Sequence, residues 1–261
     1  ATTEIDTLSL HDALPIFAVV FLLTYGAPAQ QTIVAPAGTA TVEGASSTSY
    51  PWNTNYAAGH RIQYCYDSSH FAGIGMPILI QQIRWRANGA AGSSWAGGTY
   101  AGSVIDLSSA AVDQAALSTT FAANHGPDRT NVFTGTATVL PCASGTSPNI
   151  WYVVVQFTTP FLYDPASGKD LLIDITLPGG LVGASYALDC ATTGSLASRM
   201  YSLSNASSAT GSFQANVGPV IEVGYVPATG LYAGFDADVT IGAAPLKVTF
   251  TDKTFTSDPG G

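Results

Sequence analysis

Four groups of side chains in this sequence have the types that chemistry uses. The first is His60, Cys65, Asp67 and His70, a mixed nitrogen, sulfur and oxygen donor set of the kind that gathers a metal. Residues five and ten apart on an extended chain lie ~16 and ~33 Å from one another, so only a fold-back reunites the histidines. No Cys-x-x-Cys or His-x-x-x-His spacing supports a metal, and structural roles are the plainer expectation. The second group is carboxylates. Asp170 and Asp174 share one side of a strand, but at four residues' separation they stand ~13 Å apart, beyond the ~5–9.5 Å of a glycosidase pair. Asp164 and Asp170 flank the Pro-Ala-Ser-Gly turn, where Asp ordinarily caps the chain. Their hard oxygens could also hold Ca²⁺, the one cofactor the sequence leaves open. The third group is nucleophilic. Serine is abundant, yet no Gly-x-Ser-x-Gly occurs, and His125 and Asp128 read as the end of a helical turn. No catalytic residue is assigned.

The fourth group is aromatic and supplies the candidate ligand-binding residues. Tyr50, Trp52 and Tyr56 lie in "SYPWNTNY", and Trp95 and Tyr100 in "SSWAGGTY". Loop aromatics among Asn, Ser and Gly could stack on sugar rings and hydrogen-bond their hydroxyls. The blander reading is that they plug the ends of the fold, since large aromatics are usually well buried.

The elements that must carry these residues are strands. From Gln30 onward the apolar period is mostly two. In "RIQYCYD", Ile62, Tyr64 and Tyr66 share one face, and Arg61, Gln63, Cys65 and Asp67 the other. In "ILIQQIRWRAN", Ile83 and Trp85 face inward while Arg84 and Arg86 point away. In "DLLIDITL", Leu171, Ile173 and Ile175 form a buried row and Leu172 faces the other way. "WYVVVQF" is apolar on both faces and should lie centrally, covered on both sides. One segment breaks the rhythm. "SAAVDQAALSTTFAANHG" (109–126) is alanine-rich, with Leu117 and Phe121 four apart, and predicts one short helix or helical turn ended by Gly126-Pro127. Roughly ten strands separated by turn signals predict an all-β, antiparallel β-sandwich, jelly-roll-like first and immunoglobulin-like second.

Composition bounds the partners. Only 10% of residues are charged, but 46% are hydrophobic, so there is enough apolar surface for a packed core. The formal charge is −9, the wrong sign for phosphate backbones and anionic membranes, so neither nucleic acid nor a lipid surface is an expected partner. Cys65, Cys142 and Cys190 are the only cysteines. In an exported chain Cys142 and Cys190, both near loop ends, are the expected disulfide pair.

Both ends of the chain have a different texture. "TLSLHDALPI" (7–16) translates a string that looks like a short-read sequencing adapter, so residues 1–16 are set aside as an artefact. "FAVVFLLTYG" and Ala27-Pro-Ala29 then read as the remnant of a signal peptide over 17–29, with the mature domain spanning 30–226. No later apolar run reaches spanning length. After a linker at 227–233, residues 234–261 resemble the start of a PKD domain. The resemblance rests on Phe235-Asp236-Ala237, the Gly242-Ala-Ala-Pro-Leu246 turn and Val248-Thr-Phe-Thr-Asp252. It implies an immunoglobulin-like module of secreted and surface proteins, here reduced to its opening strands. The main domain, through "TATVEG", "IQYCYDSSHF", "IQQIRWRAN" and "FLYDP…DLLIDIT", is similar to uncharacterised secreted β-sandwich proteins of planctomycete type. That similarity carries no catalytic residues.

The functional expectation is a non-catalytic extracellular or cell-surface module in a larger multidomain protein. It would bind polysaccharide or extracellular matrix, or serve as a structural spacer. The rival expectation is a fragment of a secreted hydrolase.

Overall fold

The computed structural model describes residues 29–52, 56–90, 94–179, 186–203 and 205–228, with four short stretches at 231–232, 235–237, 249–252 and 255–256. The adapter-like 1–16 and the leader-like 17–28 lie outside the described residues, as do parts of the linker and most of 234–261.

The strands in chain order are β1 (Gln31–Ala35), β2 (Ser46–Thr48), β3 (His60–Tyr66), β4 (Ile78–Arg86), β5 (Ser94–Trp95), β6 (Gly98–Ser109) and β7 (Thr130–Val139). They continue as β8 (Cys142–Ala143), β9 (Trp151–Tyr163), β10 (Leu171–Leu177), β11 (Leu188–Ala191), β12 (Ala197–Ser202), β13 (Ser212–Gln214), β14 (Gly218–Pro219) and β15 (Ile221–Pro227). Ten of them form one antiparallel sheet in the order β1-β15-β4-β9-β7-β6-β10-β3-β12-β13. So many twisted strands do not lie flat. Register shifts at Gly224/Tyr225, Ile80/Gln82, Trp85/Arg86, Tyr100/Ser103 and Ile105/Asp106 add local bends. The sheet curls over, and its two halves face each other across one core.

The period-two rows define that core. Ile62, Tyr64 and Tyr66 of β3 meet Ile78, Ile80, Ile83 and Trp85 of β4, with Leu171, Ile173 and Ile175 of β10. The fold is therefore an all-β antiparallel sandwich, made from one continuous sheet rather than two separate ones. A small sheet in the order β14-β11-β2 packs against it. Near the C-terminus Phe235–Ala237 pairs with Phe250–Asp252, and Leu231–Tyr232 with Phe255–Thr256.

Two local expectations are corrected. The 109–126 segment forms two short 3-10 turns, Gln114–Ala116 and Phe121–Asn124, not one helix. Asp113 caps the first by accepting from Ala115 N–H. Before a second turn can follow, tertiary acceptors take the backbone. Ala110 and Gln114 donate to Asp170, and Ala111 and Ser118 to Asn124. Leu117 and Phe121 do share a buried face, packing with Cys65, Leu172 and Met200 on the outer side of the sheet. The second correction is Arg86, which does not point to solvent. The bulge beside Trp85 turns it into the protein, where it meets Asp189 at 2.6 Å.

Candidate functional site

The outer face of β3, β6 and β10 carries the densest polar arrangement. Strand alternation puts Gln63, Ser108 and Asp174 there, opposite the core rows, and the 110–129 segment folds across them. Ser108 Oγ lies 2.8 Å from His125 Nδ1, and His125 Nε2 lies 2.9 Å from Asp174. With Nε2–H donated to an ionised carboxylate, Nδ1 is left to accept the Ser108 hydroxyl proton. Asp174 also receives Arg61 at 2.6 Å and the Gln63 amide at 2.9 Å. Burial acts to raise the Asp174 carboxyl. The hydrogen bonds from His125 and Arg61, with the guanidinium charge, outweigh it and hold the group at about 2. Gln63 and Asn124 extend the network, bonded to each other at 2.9 Å. Arg61 lies 4.6 Å over the Phe121 ring.

A serine, a histidine and an aspartate in series are the parts of a nucleophilic relay. Here the two ring nitrogens serve in the reverse order to the serine-protease arrangement. Ser108 and Asn124 have no solvent exposure at all. No substrate carbonyl reaches Ser108 while the 110–129 segment is in place. What this chain of hydrogen bonds does in the observed conformation is fasten that segment to the sheet. Sequence reading missed it because its members lie 17, 49 and 66 positions apart.

At one end of the same strands three carboxylates converge. Oxygens of Asp67, Asp113 and Asp170 lie within 4.8 Å of one another. Each is already engaged by backbone: Asp67 accepts from Ser69, Asp113 from Ala115, and Asp170 from Ser68 and Gln114. Burial first, and the neighbouring Asp67 and Asp113 charges, push the Asp170 carboxyl up against the pull of its two backbone donors. Asp164, paired with Asp170 on sequence grounds as a Ca²⁺ candidate, instead caps the Pro165–Ser167 turn. Three hard anionic donors are chemically suited to Ca²⁺. Only Asp170 is shared with the expected pair; Asp67 and Asp113 are new and Asp164 is absent from the trio.

The donors His60, Cys65, Asp67 and His70 are not gathered. His60 contacts the Pro51 carbonyl, and burial lowers its basicity. His70 accepts from Ala37 N–H at 3.1 Å, while Cys65 sits against Asp170. The cysteine pairing is corrected too. Cys142 and Cys190 are both buried free thiols. Cys142 lies opposite Trp95 in the β5–β8 pair and Cys190 opposite Pro219 and Ser46 in the small sheet.

The five aromatic candidates divide. Trp52 and Tyr100 are core residues, with the Trp52 ring edge-on to Trp85 at 5.1 Å and to Tyr100 at 5.4 Å. Neither offers a face to a sugar. Trp95 is half-buried against the core, and its indole N–H, like those of Trp52 and Trp85, is buried without an acceptor. Tyr50 and Tyr56 are half-exposed and joined through their hydroxyls at 2.8 Å. Sequence reading missed their companions. Tyr201 stacks on Tyr50 at 6.2 Å and 15°, and the Arg199 guanidinium lies 4.9 Å and 5.2 Å from the two rings. Gln214 and Thr48 hold Arg199 in place. The result is a tyrosine–arginine cluster built by β12 and the 48–56 segment alongside β3. The period-two row Ile62–Tyr64 across from Arg199–Tyr201 was the signal that could have found it.

Among the described residues no helix is long and apolar enough to cross a membrane. Comparison with protein-family models, with curated proteins and with solved structures returns no match for this chain.

Proposed function

We propose that this chain is a non-catalytic secreted or cell-surface module that binds polysaccharide, carried in a larger protein beside a PKD-like unit. The observation that carries the non-catalytic reading is the closure of its reactive groups. Ser108 is fully buried, and the histidine and carboxylate beside it are spent on Arg61, Gln63 and the covering segment. The leader-like 17–29 and the PKD-like residues after 234 support export and a multidomain setting. Tyr50, Tyr56 and Tyr201 supply the half-exposed ring faces and hydroxyls that sugars use, and Arg199 stiffens them. The test is retention on insoluble polysaccharides of the wild type against Tyr50→Ala and Tyr201→Ala. Loss in both variants supports the platform; undiminished retention removes it.

A second reading, a secreted hydrolase, is favoured by the Ser108–His125–Asp174 series itself. It requires the 110–129 segment to lift and expose Ser108. Ester or glycoside hydrolysis by the wild type that disappears in Ser108→Ala, with folding intact, would replace the binding reading with this one.

A further inference from the structure

Strands β7 and β9 lie side by side but pair at only two positions, Thr138↔Val154 and Val139↔Val153. From there they separate. Thr158 Oγ1 still reaches the Val132 carbonyl at 3.1 Å, and beyond that tie the strands leave a cleft of about 480 Å³. Its volume is in the range of ligand sites, ~300–1,000 Å³. Pro127, Phe161 and Leu162 line it with apolar surface, and Leu162 is 36% exposed. Asp128, Asp164 and Lys169 bring charge to its rim.

These charges are held at different degrees of commitment. Asp128 accepts the Ser109 N–H with both oxygens. Asp164 uses one oxygen to cap Ala166, and the other meets no donor among the described residues. Each arginine among the described residues meets a carboxylate, an amide or a ring. Lys169, the only lysine described, has no side-chain partner among the described residues.

From this geometry we infer a saccharide subsite in the β7–β9 cleft, occupied by a neutral pyranose unit of an oligosaccharide. The inference rests on the polysaccharide-binding reading and adds a second contact point. Arg199 and Tyr201 stand level with Ile173 and Ile175 of β10 through their β3 partners Tyr64 and Ile62, two to four residues or ~7–13 Å along the strands from Leu171. The C–H face of a pyranose matches Leu162 and Pro127. Its hydroxyls donate to the carboxylates and accept from the Lys169 ammonium. The rim carries one more carboxylate than ammonium, so an anionic sugar is repelled. Two separate contacts on one rigid sheet would give a long glycan an avidity that a single ring lacks.

The experiment is an NMR titration of the full chain with cellotetraose, mannotetraose and maltotetraose, and with tetragalacturonate as the anionic comparison. At least one neutral sugar should shift amides around Ser109, Asp128, Leu162 and Lys169. Lys169→Gln and Leu162→Asp, both at the surface, should weaken that binding by about tenfold while leaving the remaining spectrum in place. Shifts confined to the Tyr50–Tyr201 cluster overturn the cleft and leave the broader reading standing. Preference for tetragalacturonate, or full affinity in both variants, overturns the cleft as well. A wild type that ignores every sugar overturns the cleft and the sugar reading together.

Discussion

Replacing Asp174 by Asn keeps the side-chain shape and removes the charge at the hub of the outer-face network. The wild-type carboxyl is held at about 2, against 3.8 as the ordinary value. That difference corresponds to about 2 kcal/mol favouring the ionised, folded form. Removing the charge also strands Arg61, whose side chain is only 15% exposed. Together these place the cost of Asp174→Asn near neutral pH at about 2–4 kcal/mol. Because the folded group ionises at lower pH than the unfolded one, its contribution is complete above about 4. It is lost as pH falls from there toward 2. Urea unfolding of both proteins at a series of pH values measures the gap between them. Other carboxylates titrate in both, so the gap isolates Asp174. It should be widest near neutrality and close by roughly three-quarters toward pH 2. A gap that is absent near neutral pH, or that persists unchanged into acid, refutes the assignment of Asp174 as the charged anchor of the 110–129 segment.

Arg86 and Asp189, both essentially without exposure, form an ion pair that also binds the carbonyls of Thr39 and Val42 and the N–H of Gly44. Arg86→Ala alone should cost about 3–5 kcal/mol in chemical unfolding, while Arg86→Met with Asp189→Leu should cost clearly less. Losses that simply add would show that the pair is not coupled. The three cysteines should be inert in the native protein and all reactive once it is denatured, without reductant. Burial pushes the Cys142 thiol up to about 11 and Cys190 up to about 12, removing the thiolate that thiol reagents attack. Fewer than three reactive thiols under denaturant would reveal a disulfide.

The fold was legible wherever one strand face is oily and the other is not. Ile62, Tyr64 and Tyr66, or Leu171, Ile173 and Ile175, announce their row without help from neighbours. What alternation does not say is what covers the second face. Leu172, Cys65 and Met200 were apolar on the supposed solvent side, and they are where the 110–129 segment packs. Alanine favours a helix, so that segment reads as a short helix or helical turn. Its backbone groups instead go to Asn124 and to Asp170, which lies 56 and 60 positions from its two donors and which no local propensity registers. Arg86 failed for a related reason: one bulge reverses the inside–outside sequence, and the residue letters do not mark where a bulge falls.

The polar residues follow the same logic. A charged side chain in a strand is assigned to water unless its partner is visible, and here the partners come from the far side of the sequence. Asp174 meets Arg61 across 113 positions, and Asp189 meets Arg86 across 103. Buried charge survives only where such a partner is close and further donors finish the shell. A chain with 10% charged residues has few to spare. Each described arginine is committed to a carboxylate, an amide or a ring that ties strands or loops of the sandwich together. The uncommitted cation, Lys169, stands at a cleft between two diverging strands. Where almost every charge is spent on structure, the one left over is the place to look for a ligand.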